Sequence, residues 1–108
     1  MPAAAQKSET RDLLKQRLKA DRAQLIAAFR EDSKPEKLLR CLRQSVDAVL
    51  TEAWTVAGLP PDAALVGVGG YGRGELFPFS DVDLLILLAE PANALTQARL
   101  EGFVQLLW

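Results

Sequence analysis

Apolar residues in the first half of the chain recur at the three- and four-residue spacing of amphipathic helices. A first helix is predicted from about Ser8 to Arg30, on the stripe Leu14, Leu18, Leu25 and Phe29. Ser33-Lys34-Pro35-Glu36 then has the pattern of a capping box with a proline in the first turn. The second helix carries its stripe on Leu39, Leu42, Val46, Val49, Leu50, Ala53 and Trp54. Gly58 and Pro60-Pro61 end it, so residues 8–60 are predicted as a helical region behind a flexible tail, residues 1–7.

The pattern changes to short apolar runs after residue 62. Residues 63–68 and 82–88 predict two strands, and the second run lacks polar alternation, which is typical of a strand covered on both faces. The connection 69–81 is too short for a parallel crossover, so the strands are expected to pair antiparallel. Residues 92–108 return to helical spacing, and the chain is expected to end inside that helix; its apolar positions are Leu95, Leu100, Phe103, Val104 and Leu107. Together these elements predict an α+β fold.

Composition excludes several classes of function. A net charge of −1 argues against a nucleic-acid partner, although residues 1–40 hold ten basic and six acidic side chains and residues 41–108 hold three and eight. The basic excess is interpreted as the solvated faces of amphipathic helices, with a surface for an acidic partner as the alternative. The chain has no histidine, and its single cysteine, Cys41, lies among apolar helix positions as packing material. No signal peptide and no membrane-length apolar run is visible, which predicts a cytoplasmic location without membrane contact.

Two carboxylates open the second predicted strand. Asp81 and Asp83 are two residues apart, so both side chains are expected on one face of the strand. At about 5 Å and an effective dielectric near 20, two such charges repel by roughly 3 kcal/mol. A divalent cation offsets that repulsion, and Mg²⁺ prefers hard oxygen ligands completed by substrate phosphates. The pair is therefore a candidate metal site.

A glycine-rich segment precedes the carboxylates. Gly69 and Gly70 lack Cβ atoms, so a phosphate can approach their N–H groups, and residues 71–76 are expected to form a short helical turn. Arg73 is either a phosphate contact or a partner of Glu75, and Ser80 either binds phosphate or orients the first aspartate. The glycines alone would also fit a flexible hairpin turn. The segment is neither a P-loop, because no Gly-Lys-Ser/Thr follows, nor a good dinucleotide fingerprint, because no adequate helix follows.

These residues carry a resemblance to a known superfamily. Val68-Gly69-Gly70, followed about ten residues later by Asp81-Val82-Asp83-Leu84, resembles the signature of polymerase-beta-type nucleotidyltransferases. Within that superfamily, residues 69–87 closely resemble the family of bifunctional PII uridylyltransferase/uridylyl-removing enzymes. The preceding helices and residues 103–108 fit the same family, so the resemblance covers roughly residues 8–108.

The resemblance implies transfer of UMP from UTP to a tyrosine of the PII nitrogen-signalling protein, with Mg²⁺ as cofactor. Gly69 and Gly70 would hold the UTP phosphates, and Asp81 and Asp83 would be the catalytic metal ligands. Residues 61–108 would form the first part of a nucleotidyltransferase domain, a mixed sheet with flanking helices. A third carboxylate on a later strand, a uridylyl-removing domain and glutamine-sensing domains would follow. The chain alone is therefore expected to be inactive.

Two other functions stay open at this point. The adenylyltransferase that acts on glutamine synthetase also has Asp-x-Asp after a Gly-rich loop, but residues 71–74 and 77–79 favour the uridylyltransferase. A non-catalytic minimal nucleotidyltransferase fold, such as a toxin-neutralising module, is the other alternative. The two long helices before the first strand argue against it, because minimal modules begin close to that strand.

Overall fold

The computed structural model describes residues 3–78 and 81–107, and the side chains from residue 8 onward within those ranges. The first helix, α1, runs Ala3–Asp32. It begins five residues before the predicted start, so the prediction of a tail over residues 1–7 is wrong for the backbone of residues 3–7. Three consecutive alanines, Ala3 to Ala5, explain the difference, because alanine has the highest intrinsic helix propensity.

The second helix, α2, runs Pro35–Ala57 and starts with the proline at its first turn, as predicted. The predicted capping box is wrong. Lys34 is the N-cap residue without a side-chain cap, and Ser33 has a φ of +54°. Asp32 stabilises the junction instead, because its Oδ1 accepts a hydrogen bond from the Lys34 N–H at 3.0 Å. The helix ends as predicted at Gly58, whose left-handed φ of +68° lets its N–H donate to the Trp54 carbonyl.

The strands β1, Ala64–Val68, and β2, Asp83–Leu87, pair antiparallel, which confirms the prediction. The register opposes Val68 to Asp83 and Ala64 to Leu87. Among the described residues they form a two-stranded sheet. The expectation that both faces of the second strand are covered is wrong for these residues, since Leu85 and Leu87 are about half exposed while Leu84 and Ile86 pack inward.

A four-residue helical turn, α3, Gly69–Gly72, joins the strands near the first one, and the final helix, α4, runs Ala94–Leu107. The turn begins at Gly69 and not at residue 71 as predicted. The short turn places Tyr71 in the core and is followed by Leu76, which is also buried. In α4 the predicted stripe is only partly right, because Leu95 and Val104 are exposed and Leu106 is buried.

The core has two adjoining parts. One unites α1, α2 and α4 through Leu14, Val49, Ala53, Phe103 and Leu106, with the rings of Trp54 and Phe103 in edge-to-face contact at 5.3 Å. The other lies between α2 and the segment after β1, and consists of Leu38, Leu42, Leu50, Tyr71 and Leu76. Leu65 of the sheet contacts both parts. The helices therefore form the support on which the sheet and the glycine turn rest. No helix in the described part of the chain has the length and apolar character needed to cross a membrane.

Candidate functional site

The first strand passes directly into the glycine turn. Val68 is extended, and Gly69 follows with a φ of +61°, a left-handed conformation that favours glycine. The turn is closed by its own backbone: the Arg73 N–H donates to the carbonyls of Gly69 and Gly70, and the Glu75 N–H donates to the Gly70 carbonyl at 2.8 Å. Val68 provides no side-chain cap, so no N-cap side chain satisfies the first N–H groups of the turn.

The second strand brings Asp83 to the glycine turn. Asp83 pairs with Val68, the residue immediately before the turn. Its Oδ2 lies 2.9 Å from the position that a Cβ on Gly69 would take, so only a glycine leaves the carboxylate its place. The antiparallel register thus puts a carboxylate and an open glycine backbone at the same end of the sheet.

Asp81 lies outside the strand on which the sequence predicted it. The strand begins at Asp83, and residues 81 and 82 precede it without regular structure. Asp81 is exposed and borders a cavity of about 450 Å³ between the helices and β2, lined also by Leu14, Val49 and Leu84. Asp83 is exposed as well. Within the described residues, no three His, Cys, Asp or Glu side chains come close enough together to hold a metal ion. Of the two predicted metal ligands, Asp83 is therefore the one that lies beside the turn, and Asp81 lies at the border of the cavity.

Arg73 follows the turn and forms an ion pair with Glu75, with Nε and Oε2 3.3 Å apart. Both side chains are more than half exposed, so the pair contributes at most about 1 kcal/mol. The other end of the guanidinium stays near the glycines, since Nη2 lies 3.9 Å from the Cβ position of Gly70. Of the two interpretations of Arg73, the structure shows the pairing with Glu75. Ser80, the remaining predicted phosphate ligand, lies outside the described residues.

Tyr71 links the turn to α2. Its hydroxyl donates a hydrogen bond to the Asp47 carboxylate, and its ring packs on the backbone of Gly67, where a Cβ would lie 2.9 Å from the ring carbons. Burial, together with the bond to Asp47 and its negative charge, raises the pKa of Tyr71 well above its ordinary value. The sequence analysis did not predict this bond, because nothing in the sequence around an exposed helical aspartate indicates a partner 24 residues away.

A comparison with protein families bears on this arrangement. The nucleotidyltransferase domain family matches residues 50–107, which is more than half of the chain and includes both strands, the glycine turn and both aspartates. The chain belongs to the nucleotidyltransferase domain family. This confirms the superfamily and the α+β fold that the sequence predicted. No solved structure matches the chain.

Curated members of this family resemble the chain closely over a short stretch. The bifunctional uridylyltransferase/uridylyl-removing enzyme of Cupriavidus metallidurans is 52% identical over 95 residues, which are 88% of this chain and 11% of that relative. The enzymes of the same name from Bordetella parapertussis and Ralstonia nicotianae are 50% identical over 95 residues and 44% identical over 106 residues. Those alignments cover 88% and 98% of this chain, and 11% and 12% of the respective relatives. The resemblance to this family of enzymes is therefore confirmed, and the chain spans about a tenth of the relatives' length.

Proposed function

We propose that this chain supplies the nucleotide-binding part of a Mg²⁺-dependent active site that transfers UMP from UTP to a tyrosine of the PII signalling protein. The observation that carries the proposal is the close approach of the Asp83 carboxylate to Gly69, since it places a carboxylate directly beside the backbone of the glycine turn. Nucleotidyl transfer needs a metal-binding carboxylate beside a place where phosphates can approach. The names of the curated relatives support uridylyl as the transferred group.

The residues present fit a magnesium ion. Asp81 and Asp83 supply hard carboxylate oxygens, and Mg²⁺ is commonly held by one or two carboxylates together with substrate phosphates and water. Both aspartates are exposed, so a hydrated ion and a polyphosphate can reach them from solvent. A bound Mg²⁺ would neutralise charge on the phosphates during transfer.

Gly69 and Gly70 are proposed to hold the phosphates through their backbone. A side chain on Gly69 would collide with Asp83, and Gly70 is flanked by the Arg73 guanidinium. That guanidinium adds positive charge beside the turn, and its exposed pair with Glu75 leaves it able to contact phosphate as well. Ser80 remains a predicted phosphate ligand. In this arrangement the chain binds and orients the nucleotide, and glutamine control and uridylyl removal are assigned to segments outside it.

The proposal is tested in a host enzyme, defined as the Cupriavidus metallidurans relative in which this chain replaces the segment that it matches. Asp81→Asn and Asp83→Asn should each lower UMP transfer by roughly 100-fold or more, because each removes a charged metal ligand. Uridylyl removal should persist and shows that the host is folded. Asp62→Asn is the matched control, since it removes one exposed carboxylate from the turn before β1.

Two results would contradict the proposal, and a third would contradict the expected inactivity of the isolated chain. The first is an unmodified host that removes uridylyl groups but transfers no UMP. The second is an Asp83→Asn or Asp81→Asn host that transfers UMP as fast as the Asp62→Asn control. The third concerns the isolated chain, which we expect to transfer no UMP because its described residues offer no group of three carboxylates. Transfer by the 108-residue chain would show that a third carboxylate from elsewhere is unnecessary.

A further inference from the structure

Helix α2 touches the glycine turn on both sides of it. Asp47 accepts the hydrogen bond from the Tyr71 hydroxyl, next to the phosphate-binding glycines. Arg43, four residues earlier and so on the same face of the helix, reaches the far end of the turn. Its Nη1 lies 2.6 Å from the position that a Cβ on Gly74 would take, and Gly74 has a φ of +77°. One helical face therefore contacts the segment 71–74 at its beginning and at its end.

Tyr71 is fixed from two directions. Its ring lies directly on Gly67 of β1, and a Cβ on Gly67 would be 2.9 Å from two ring carbons. Its hydroxyl is held at Asp47 of α2. The Tyr71 backbone follows Gly70 without a break, so a shift of the side chain would move the N–H groups that we propose for phosphate binding. The orientation of the turn is thus coupled to helix α2 through the Tyr71 hydroxyl, in addition to the packing of the Tyr71 ring against that helix.

The hydroxyl itself is not needed to fill the core. A phenylalanine at position 71 would keep the ring on Gly67 and lose only the bond to Asp47. Asp47 is solvent exposed as a residue, so water can solvate its carboxylate once the phenol is gone. The bond between Tyr71 and Asp47 therefore has more to contribute to the placement of the turn than to the burial of apolar surface.

We infer that Tyr71 and Asp47 are positioning residues that hold the Gly69-Gly70 turn in the orientation that UTP binding requires. The inference rests on the proposed function of the turn. Neither side chain needs to touch the nucleotide, because both act through the backbone that Tyr71 shares with Gly70. Helix α2, which precedes the strand pair, therefore contributes to UTP affinity.

The experiment compares variants of the host enzyme by their KM for UTP, their kcat, their uridylyl-removing activity and their melting temperature. Tyr71→Phe and Asp47→Ala should each raise the KM for UTP about tenfold, the size typical for loss of one hydrogen bond to a charged group. The kcat at saturating UTP should fall less, and uridylyl removal should not change. Asp47→Asn keeps an oxygen acceptor and should restore most of the affinity. The double variant should be no worse than either single variant, because both remove the same bond.

Ser45→Ala is the matched control. Ser45 Oγ donates to Asp21 Oδ2 at 2.7 Å, so this substitution also removes a partly buried side-chain hydrogen bond of α2, but one directed to α1 and not to the turn. It should leave the KM for UTP unchanged. An equal rise in the KM for UTP in the Ser45→Ala host would show that the Tyr71 bond affects UTP binding only through the general stability of the protein.

Two outcomes overturn the inference and leave the proposed function intact. One is a wild-type KM and kcat in both Tyr71→Phe and Asp47→Ala, while Asp83→Asn abolishes transfer in the same host. The other is a Tyr71→Phe/Asp47→Ala double variant whose defect is the product of the single defects, which would mean that the two residues act separately. If Asp83→Asn itself transferred UMP normally, the proposed function would fail first.

Discussion

Replacing Gly70 with alanine adds one methyl group to the turn that we propose holds the phosphates of UTP. Gly70 is not among the residues with positive φ, and its new Cβ would lie 3.4 Å from the Glu75 carbonyl oxygen and 3.9 Å from the Arg73 guanidinium. These are ordinary contacts. The free energy of unfolding should therefore change by less than about 1 kcal/mol, since alanine also restricts the unfolded chain.

The effect on the nucleotide should be much larger. If phosphate oxygens approach the Gly70 N–H, the methyl group occupies part of the space that they need. The Kd for UTP should then rise about 100-fold, which corresponds to about 2.7 kcal/mol. A change in affinity that exceeds the change in stability by this margin would place the phosphates at Gly70.

Gly69→Ala provides the contrast. The φ of +61° at Gly69 would cost an alanine about 1–2 kcal/mol, and its Cβ would lie 2.9 Å from Asp83 Oδ2, so the carboxylate must move. Stability and transfer should both fall. Gly58→Ala separates the two causes, because Gly58 has a similar φ of +68° with no atom within 4 Å of its Cβ position. That variant should lose stability and keep its UTP affinity.

The assay measures the Kd for UTP and the melting temperature on the same host-enzyme variants. For Gly70→Ala we expect a weakened Kd with a melting temperature that barely moves. The reasoning is refuted if Gly70→Ala melts clearly earlier and binds UTP as the unmodified host does. The turn would then be a structural hairpin, and the nucleotide would have to bind elsewhere.

Two further predictions concern single residues of α2 and the turn. Cys41→Ala in the host should leave UMP transfer unchanged and cost on the order of 1 kcal/mol of stability, because Cys41 is half-buried packing material; loss of turnover in a folded variant would contradict this. Tyr71 is the only tyrosine of the chain, so the tyrosinate absorbance of the 108-residue chain reports it alone. Burial and the bond to Asp47 raise its pKa above 10.0, so its contribution to stability is complete below about pH 10 and is lost as the pH rises further. The alkaline unfolding of Tyr71→Phe should lack this component, and a tyrosinate transition near pH 10 in the folded chain would argue against the bond.

The strand pair and the end of α2 could be predicted from the sequence because their signals are local. A short apolar run bounded by glycine and proline, and a glycine after the last helical turn, each determine one conformation. The antiparallel pairing also followed from local information, since the connection of residues 69–81 is too short for any other geometry. The proximity of Gly69 and Asp83 is a consequence of that pairing, because the register opposes Asp83 to Val68, the residue before Gly69.

The predictions that failed did so because two residues could fill the same role or because the outcome depended on tertiary contacts. At the start of α2, Ser33 and Asp32 are both capable of capping, and only the backbone conformation at Ser33 shows that Asp32 accepts the bond. Residues 84–88 are apolar on both faces of the strand, so the sequence does not indicate which face the helices of this chain cover. The bond between Tyr71 and Asp47 depends on how a helix docks on a sheet, which no pattern along the chain encodes.

The packing of α4 against α1 and α2 also determines how well the segment between α2 and α4 tolerates inserted residues. Phe103 and Leu106 of α4 pack with Leu14 and Val49. Residues that precede the glycine turn and the aspartates in the chain therefore share one core with residues that follow them. The segment between α2 and α4, which carries the proposed site, is thus a closed loop in the polymer sense, because the helices at its two ends already contact each other. Loop-closure entropy rises only slowly with length, by about 0.6 kcal/mol for each doubling. Extra residues in the exposed stretch between β2 and α4 would therefore cost little stability, and specificity elements can be inserted there without rebuilding the core.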